Sequence, residues 1–129
     1  MFSSDEDRQA LNEIVHPEVG RLRDLLIREA RIRGDAVVVS AIPLLFEAGL
    51  EKEFDRIILV DAPDDIRLSR LVQRRGLNAA EAQRMMDAQF PSSEKRSRAH
   101  IIIENEHDLK ALRRAVERVW HELTDQAAT

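Results

Sequence analysis

The segment Ile57-Ile58-Leu59-Val60-Asp61-Ala62-Pro63 decides the fold class of this chain. Its four apolar residues form a short, continuous, mostly β-branched run that ends before Pro63, which is typical of a strand buried on both faces. Strands of this kind belong to parallel sheets, because antiparallel strands commonly alternate apolar with polar residues. The segment therefore predicts one strand of a parallel sheet.

Two further segments of the chain carry the same pattern. Ala36–Ser40 lies between Gly34 and Pro43, and Ile101–Ile103 lies before Glu104-Asn105. Helical sequence stands before each of the three predicted strands, which gives the alternating order of a doubly wound sheet. The sequence therefore predicts an α/β fold: a partial doubly wound parallel sheet with flanking helices.

Caps, glycines and apolar spacing predict six helices. Their expected limits are Ser4 to about Val15, Pro17 to Gly34, Asp64 to Arg75, Asn78 to about Gln89, a short helix opened by Pro91, and about Asp108 to Leu123. Pro17 suits the first turn of a helix, and Gly34 and Gly76 suit the position just after a helix end. The last helix carries an apolar stripe expected to face the sheet, formed by Leu109, Leu112, Val116, Val119 and Leu123.

Composition excludes several classes of protein. The 129 residues include no cysteine, which excludes disulfides, cysteine-based zinc sites and thiol catalysis. No apolar run approaches the about 20 residues that a membrane span needs. The first nine residues, MFSSDEDRQ, are polar and acidic, unlike a signal peptide. These features predict a cytoplasmic protein that is not bound to a membrane.

Residues 67–98 form a basic segment, with 8 Lys/Arg against 3 Asp/Glu, in a chain whose net charge is −4. Such a segment can bind phosphates, or it can be a solvated helix face. Ligands of open parallel sheets bind beyond the carboxyl ends of the strands, which here selects Ala41–Gly49, Asp61–Asp65 and Glu104–Asp108. The basic segment begins just after the second of these regions.

Several motifs match one known family in order. Pro43-Leu44-Leu45-Phe46-Glu47 follows a Val-rich run, and Leu11-Asn12-Glu13-Ile14-Val15-His16-Pro17 lies upstream of it. Further matches are Asp61, Arg70, Arg74, Arg84, Gln89, Lys95, Ala99 and Asn105. With its PLLFE and HP motifs, the chain from about Phe2 to Trp120 resembles the dephospho-coenzyme A kinases.

The resemblance implies a fold and an activity. Enzymes of this family are P-loop kinases that transfer the γ-phosphate of ATP, with Mg²⁺, to the ribose 3′-hydroxyl of dephospho-coenzyme A. It also implies a helical acceptor-binding part over residues 1–34, a sheet core over 35–66 and 99–129, and a basic helical lid over 67–98. Dephospho-coenzyme A and ATP are then the expected ligands, with no nucleic acid partner.

The same resemblance implies roles for particular residues. Arg70 and Arg74 are the expected catalytic residues, and Asn105 is expected to contact the adenine of ATP. The dephospho-coenzyme A site is expected to include His16, Pro43, Leu44, Leu45, Glu47 and Gln89. No metal ligand is predicted. Physical chemistry supports the arginines, because residues one turn apart share a helix face and guanidinium groups stabilise the charge of a transferring phosphate.

Each of these residues also has a structural interpretation. His16 can be a residue at a helix entry, and Leu44, Leu45 and Phe46 can be core residues. Glu47 can cap a short helix, and Asn105 can close a turn. Arg67 and Arg75 are expected to face solvent.

The sequence also departs from the family's pattern. Its four glycines form no G-x-x-x-x-G-K-S/T phosphate loop, and the resemblance begins after the family's first strand. Ala41 stands where many relatives carry an acidic residue, and His100 stands where most carry aspartate. The first strand and the P-loop are therefore expected to be absent, which would leave exposed strand edges open to self-association.

Two other functions stay open at this point. One is a non-catalytic module that binds nucleotides or ligands like coenzyme A, or that complements a partner chain with a P-loop. The other is an RNA-binding protein that uses the basic segment, which is the weaker alternative because Phe90 is the only aromatic residue there. Catalysis, binding without turnover, and a salt-dependent RNA gel shift would separate the three.

We expect the isolated 129-residue chain to show no dephospho-coenzyme A kinase activity, because it has no P-loop lysine or backbone nest to hold the ATP phosphates. A coupled assay for ATP-dependent 3′-phosphorylation tests this, with a kinase that has an intact P-loop as the control. Activity that disappears on Arg74→Ala would contradict the expectation.

Overall fold

A computed structural model describes residues 5–128, with side chains described for residues 17–127. The chain divides into two compact units, one of residues 42–125 and one of residues 1–41 with 126–129. The larger unit contains a small parallel sheet with helices around it. The helices and strands are α1 (Asp5–Arg33), β1 (Ile58–Asp61), α2 (Asp64–Arg75), α3 (Ala79–Asp87), α4 (Ser92–Arg98), β2 (Ile101–Glu104) and α5 (Leu109–Ala128).

The sheet of the described residues has two strands, β1 and β2, which pair in parallel. Their register sets Ile58 beside Ile101 and Asp61 beside Glu104. The β-branched side chains that predicted these strands supply part of the core, since Ile57 and Ile103 are buried. Val60 is exposed, so the expectation of strands buried on both faces is wrong at that residue.

His100 fixes the start of the strand pair. Its Nδ1 atom accepts a hydrogen bond from the Ile57 backbone N–H at 2.9 Å. The backbone N–H of His100 donates to the Ile57 carbonyl at 2.9 Å. At the other end, the Asn105 N–H donates to the Asp61 carbonyl at 2.7 Å. The imidazole thus supplies the acceptor that an aspartate carboxylate could supply at this position.

The segment Ala36–Ser40, predicted to be a strand, is not one in the structure. It pairs with neither β1 nor β2, and the side chains of Val38 and Val39 are exposed. β propensity describes how well a side chain fits a half-buried pleated surface, so a β-branched run forms a strand only beside a hydrogen-bonded neighbour. No such neighbour exists for this segment among the described residues.

The predicted break between the first two helices is also wrong. Helix α1 runs without interruption from Asp5 to Arg33 and contains Pro17 in its interior. The φ angle of proline is itself helical, so Pro17 removes one hydrogen bond without excluding the helix. The end of α1 is as predicted: Gly34 has φ 81°, and Asp35 N–H donates to the Ala30 carbonyl at 3.0 Å, which is a Schellman closure. The predicted cap Ser4 lies outside the described residues.

Helices α2 and α3 begin and end, and α4 begins, within two residues of their predicted limits, whereas α5 continues to Ala128, five residues beyond the predicted Leu123. Gly76 ends α2 with φ 67°, and the Asn78 side chain caps α3 by accepting from Glu81 N–H at 2.8 Å. Asp108 caps α5 by accepting from Ala111 N–H at 2.9 Å. None of the helices within residues 5–128 has the length and apolar character needed to cross a membrane.

The apolar stripe of α5 is only partly buried. Val119 is buried and Leu112 and Leu123 are half-buried, whereas Leu109 and Val116 are exposed. Side chains spaced by three and four residues do not point in one direction, because the stripe that they form winds around the helix. The residues at one edge of the stripe therefore lie outside the contact face, in solvent. The expectation that all five residues face the sheet is therefore wrong for Leu109 and Val116.

Replacing Gly76 by alanine should destabilise the fold by about 1 kcal/mol, because alanine is disfavoured at a left-handed φ. No atom lies within 4 Å of a Cβ added at Gly76, so the cost comes from the backbone alone. Gly76→Asn is the matched control and should cost less, since asparagine tolerates this conformation. Urea unfolding measures both changes, and equal losses for the two variants would contradict the backbone explanation.

Candidate functional site

Two neighbouring cavities lie along helix α2, and the second reaches the carboxyl end of the sheet. The first has a volume of about 290 Å³ and the second about 180 Å³. Arg67, Arg70 and Gln89 line both. The first is lined further by Leu71, Arg74, Arg75, Met85 and Met86, and the second by Leu59, Val60, Asp61, Ala62, Ser92, Lys95 and Asn105. The second cavity therefore opens where ligands of parallel sheets bind, and the first continues from it along α2.

Arg70 and Arg74, the predicted catalytic pair, both line the first cavity, as their spacing of one turn predicts. Arg70 is half-buried, and its Nη1 donates to the Asn105 carbonyl at 2.6 Å. No carboxylate within the described residues forms an ion pair with either arginine. The helix therefore presents to the cavity two guanidinium charges that have no counter-ion among residues 17–127.

Arg67 is held more tightly than the sequence predicts. Its side chain is 27% exposed and donates to Asp64 at 3.3 Å, Ser92 at 3.4 Å and Gln89 at 3.3 Å. The expectation that Arg67 faces solvent is wrong, because α2 turns this residue toward α4 and the loop before it. Arg75 is exposed, as expected, and also lines the first cavity.

A polar cluster joins the carboxyl ends of both strands to α4. Asp61 accepts from Ser92 Oγ at 3.0 Å and from Arg96 at 3.0 Å, and Arg96 also bonds Glu104 at 2.6 Å. The hydrogen bond from Arg96 lowers the pKa of Glu104, and the bonds to Glu104 and Asp61 raise the pKa of Arg96. Sequence reasoning selected the regions of Asp61 and Glu104 but missed Ser92 and Arg96, since only the parallel register brings the two carboxylates together.

The PLLFE motif forms a compact turn. Ala48 N–H donates to the Leu44 carbonyl at 3.0 Å, and Gly49, with φ 71°, ends the turn through a bond to the Phe46 carbonyl at 3.1 Å. Leu44 itself has φ 59°, a left-handed conformation that is uncommon for leucine. Phe46 is buried, so the core interpretation holds for this residue. Pro43 and Leu44 are exposed and Leu45 is half-buried.

Glu47 points from this turn toward α4. Its Oε2 lies 3.2 Å from Lys95 Nζ and accepts from the Phe90 N–H at 3.3 Å, and both charged side chains are 13% exposed. Its Oε1 is buried without a hydrogen-bond partner within the described residues. Burial alone would raise the pKa of Glu47, but its hydrogen bonds and Lys95 outweigh this and lower the pKa. Glu47 therefore joins two segments and does not cap a helix.

Gln89 connects the cations of the site. Its Oε1 accepts from Arg67 at 3.3 Å and from Lys95 at 3.3 Å. Asn105, beyond β2, lines the second cavity, while its backbone bonds Asp61 and Arg70. The structure thus brings together the predicted Arg70, Arg74, Gln89 and Asn105, with Glu47 linked to them through Lys95. The side chain of His16 lies outside the described residues.

Within the part of the chain that the structure describes, no group of three His, Asp or Glu side chains could hold a metal ion. The carboxylate of Asp61, which lines the second cavity, already accepts hydrogen bonds from Ser92 and Arg96. The described carboxylates therefore form no all-protein cage for a metal ion, which Mg²⁺ does not require, because it usually binds one or two carboxylates together with substrate phosphates.

Glu47→Gln should weaken the fold at neutral pH by about 2 kcal/mol and flatten its pH dependence in acid. The lowered pKa of Glu47 means that its carboxylate stabilises the fold above the ordinary value of 4.5, and that this contribution is lost as the pH falls through the lowered pKa. Urea unfolding from pH 7 to pH 3 measures the change. Glu117→Gln, at an exposed position on α5, is the control, and equal pH dependence in both variants would contradict the assignment.

Comparisons with known proteins agree on one family. The dephospho-CoA kinase family model matches residues 1–111. The dephospho-CoA kinase of Geobacillus kaustophilus is 41% identical over 127 residues, and the match covers 95% of this chain and 63% of that protein. The enzyme of Chlorobaculum tepidum is 38% identical over 123 residues, with 95% of this chain and 59% of that protein covered.

Solved structures give the same result. TT1252 from Thermus thermophilus matches with a TM-score of 0.70 at 40% identity, over 95% of this chain and 63% of that one. Dephospho-CoA kinase from Campylobacter jejuni matches with a TM-score of 0.66 at 26% identity, over 97% of this chain and 62% of that one. The chain spans about three fifths of the length of these relatives. It has the α/β fold of the P-loop kinases and belongs to the dephospho-CoA kinase family.

Proposed function

We propose that the chain carries two sides of a kinase site that transfers the γ-phosphate of ATP to the ribose 3′-hydroxyl of dephospho-CoA. The arginines of α2 form one side, and the Pro43–Gly49 turn belongs to the other. The observation that carries the proposal is Arg70: it is half-buried, lines both cavities, and has only a backbone carbonyl as a described partner.

The arginine side suits phosphoryl transfer. This reaction needs positioned cations against the charge of the transferring group, and it needs little covalent chemistry from the protein. A guanidinium group stays charged at any physiological pH and matches phosphate oxygens with two parallel hydrogen bonds. We assign Arg70 and Arg74 to the phosphates of ATP, with Arg74, which is exposed at the rim, as the residue for the transferring group.

The remaining predicted residues are assigned around this pair. Asn105 is held by Asp61 and Arg70 through its backbone, and its side chain, which has no hydrogen-bond partner among the described residues, is assigned to the adenine. The exposed Pro43 and Leu44, with Leu45, offer an apolar surface to dephospho-CoA. Gln89, which lines both cavities, and Glu47, which pairs with the cavity residue Lys95, are assigned to the same ligand. His16 is assigned to the same acceptor from the family motif. We also propose residues 67–98 as the lid, and a cytoplasmic location, with which the cysteine-free sequence is compatible.

A second function is favoured by one observation in the sequence. The 129 residues contain no phosphate loop, so the chain by itself is a candidate for a module that binds these ligands without turnover. The other form of this proposal is a chain that completes the kinase site of a partner carrying the loop. Among the described residues, β1 pairs with β2 alone, which supports the further proposal that a strand of another chain, or of a second copy, can pair with β1.

Titration of the ¹⁵N-labelled chain with ATP and with dephospho-CoA, followed by NMR at low salt, tests the proposed site. We expect ATP to shift signals along α2 and around Asn105, and Arg70→Gln to weaken ATP binding about tenfold or more, because a charged hydrogen bond is lost. Arg113→Gln, at an exposed position on α5, is the matched control and should bind ATP like the unchanged chain.

Two results would contradict the proposal. One is the absence of any shift with either ligand at millimolar concentration. The other is ATP binding that Arg70→Gln and Arg113→Gln weaken equally, which would show general charge attraction. A phosphate transfer assay on the same samples then separates turnover from binding alone.

A further inference from the structure

Lys95 occupies an unusual position for a lysine. Its side chain is 13% exposed and lines the second cavity beside Arg67 and Arg70. We propose that the Lys95 ammonium group binds an anionic phosphate group of the ligand in this cavity, and that Glu47 is its counter-ion when the cavity is free. This inference rests on the proposed function, and it adds a phosphate-binding residue and the carboxylate that competes with the ligand for it.

The hydrogen bonds of Lys95 leave capacity for a ligand. A lysine ammonium has three donors. Glu47 accepts at 3.2 Å and Gln89 at 3.3 Å, and no third acceptor lies within hydrogen-bond distance among the described residues. A mostly buried ammonium with an unused donor on a cavity wall favours an anionic or strongly polar ligand, because an unmet charged donor costs free energy when it is removed from water.

The neighbours of Lys95 indicate the class of ligand. Arg67 donates to the same Gln89 oxygen atom, so two cations converge on one neutral acceptor. Arg70 adds a third positive charge with no carboxylate partner among the described residues. Asp61 is the one carboxylate among the described residues that line the cavity, and it is already paired with Arg96. Three converging cations around about 180 Å³ suit a phosphate or a pyrophosphate group.

Glu47 gives the proposal a signature that a structural role would not have. Its carboxylate neutralises Lys95, so an incoming anion must share the ammonium with it. Replacing Glu47 by glutamine removes the competing negative charge and keeps an oxygen acceptor for the lysine. Anion binding should then become tighter although the fold becomes less stable. Replacing Lys95 should have the opposite effect on binding.

Inorganic pyrophosphate is the probe, because it carries the anionic chemistry without a nucleoside or a pantetheine group. Isothermal titration at low salt compares the unchanged chain with Lys95→Met, Glu47→Gln and the double variant, and circular dichroism checks that each is folded. We expect Lys95→Met to weaken pyrophosphate binding about tenfold and Glu47→Gln to tighten it severalfold. Lys110→Met, at an exposed position on α5, should change nothing.

The double variant provides a second test in case Lys95→Met does not fold. Lys95→Met alone leaves the Glu47 carboxylate mostly buried without its cation, whereas the double variant leaves neither charge. If Lys95→Met does not fold, the double variant should still bind pyrophosphate more weakly than Glu47→Gln does. Equal binding by those two variants, or unchanged or weaker binding by Glu47→Gln, would overturn the inference.

Failure of this inference differs from failure of the proposed function. No pyrophosphate binding by the unchanged chain would overturn the role of Lys95, while ATP and dephospho-CoA could still bind through Arg70. Pyrophosphate binding that depends on Lys95, together with no binding of either nucleotide, would support an anion site at Lys95 and would contradict the kinase assignment.

Discussion

The parallel pairing of β1 with β2 is the constraint on which the rest of the site depends. Its register sets the Asp61 carboxylate beside Glu104, and two acidic side chains at adjacent strand ends need a cation between them. Arg96 supplies that cation and thereby attaches α4 to the sheet. Each of these ion pairs alone contributes little to the free energy of unfolding. Their main effect is to position α4 so that Lys95 lines the second cavity.

The charges of the site differ in how they are compensated. Arg96 is shared by two carboxylates, and Lys95 has one, whereas Arg70 has none among the described residues and bonds a backbone carbonyl instead. Charge without a counter-ion is therefore concentrated where α2 faces the cavities. Gln89 allows this arrangement, because a neutral amide oxygen can hold Arg67 and Lys95 close together without cancelling either charge.

The fold was predictable wherever a local signal agreed with its surroundings. The strands at Ile57–Val60 and Ile101–Ile103 and the helix limits at Gly34, Gly76 and Asn78 follow from side-chain branching, left-handed glycines and capping, and all are present. Two predictions of secondary structure were wrong because the surrounding structure outweighed the local preference of the residues. Ala36–Ser40 has the composition of a strand but no pairing partner among the described residues, and Pro17 lies inside a continuous helix because its φ is compatible with one.

The sequence by itself determined the α/β class, the family motifs and the arginine pair on α2, since each depends on spacing along one segment. Only the tertiary structure decided which of the other polar residues meet. Glu47 contacts Lys95, and Arg67 contacts Gln89 and Ser92, across separations of many residues that no local pattern encodes. Such pairs form because partly buried charges need partners, and the parallel register and helix packing determine which partners lie within reach.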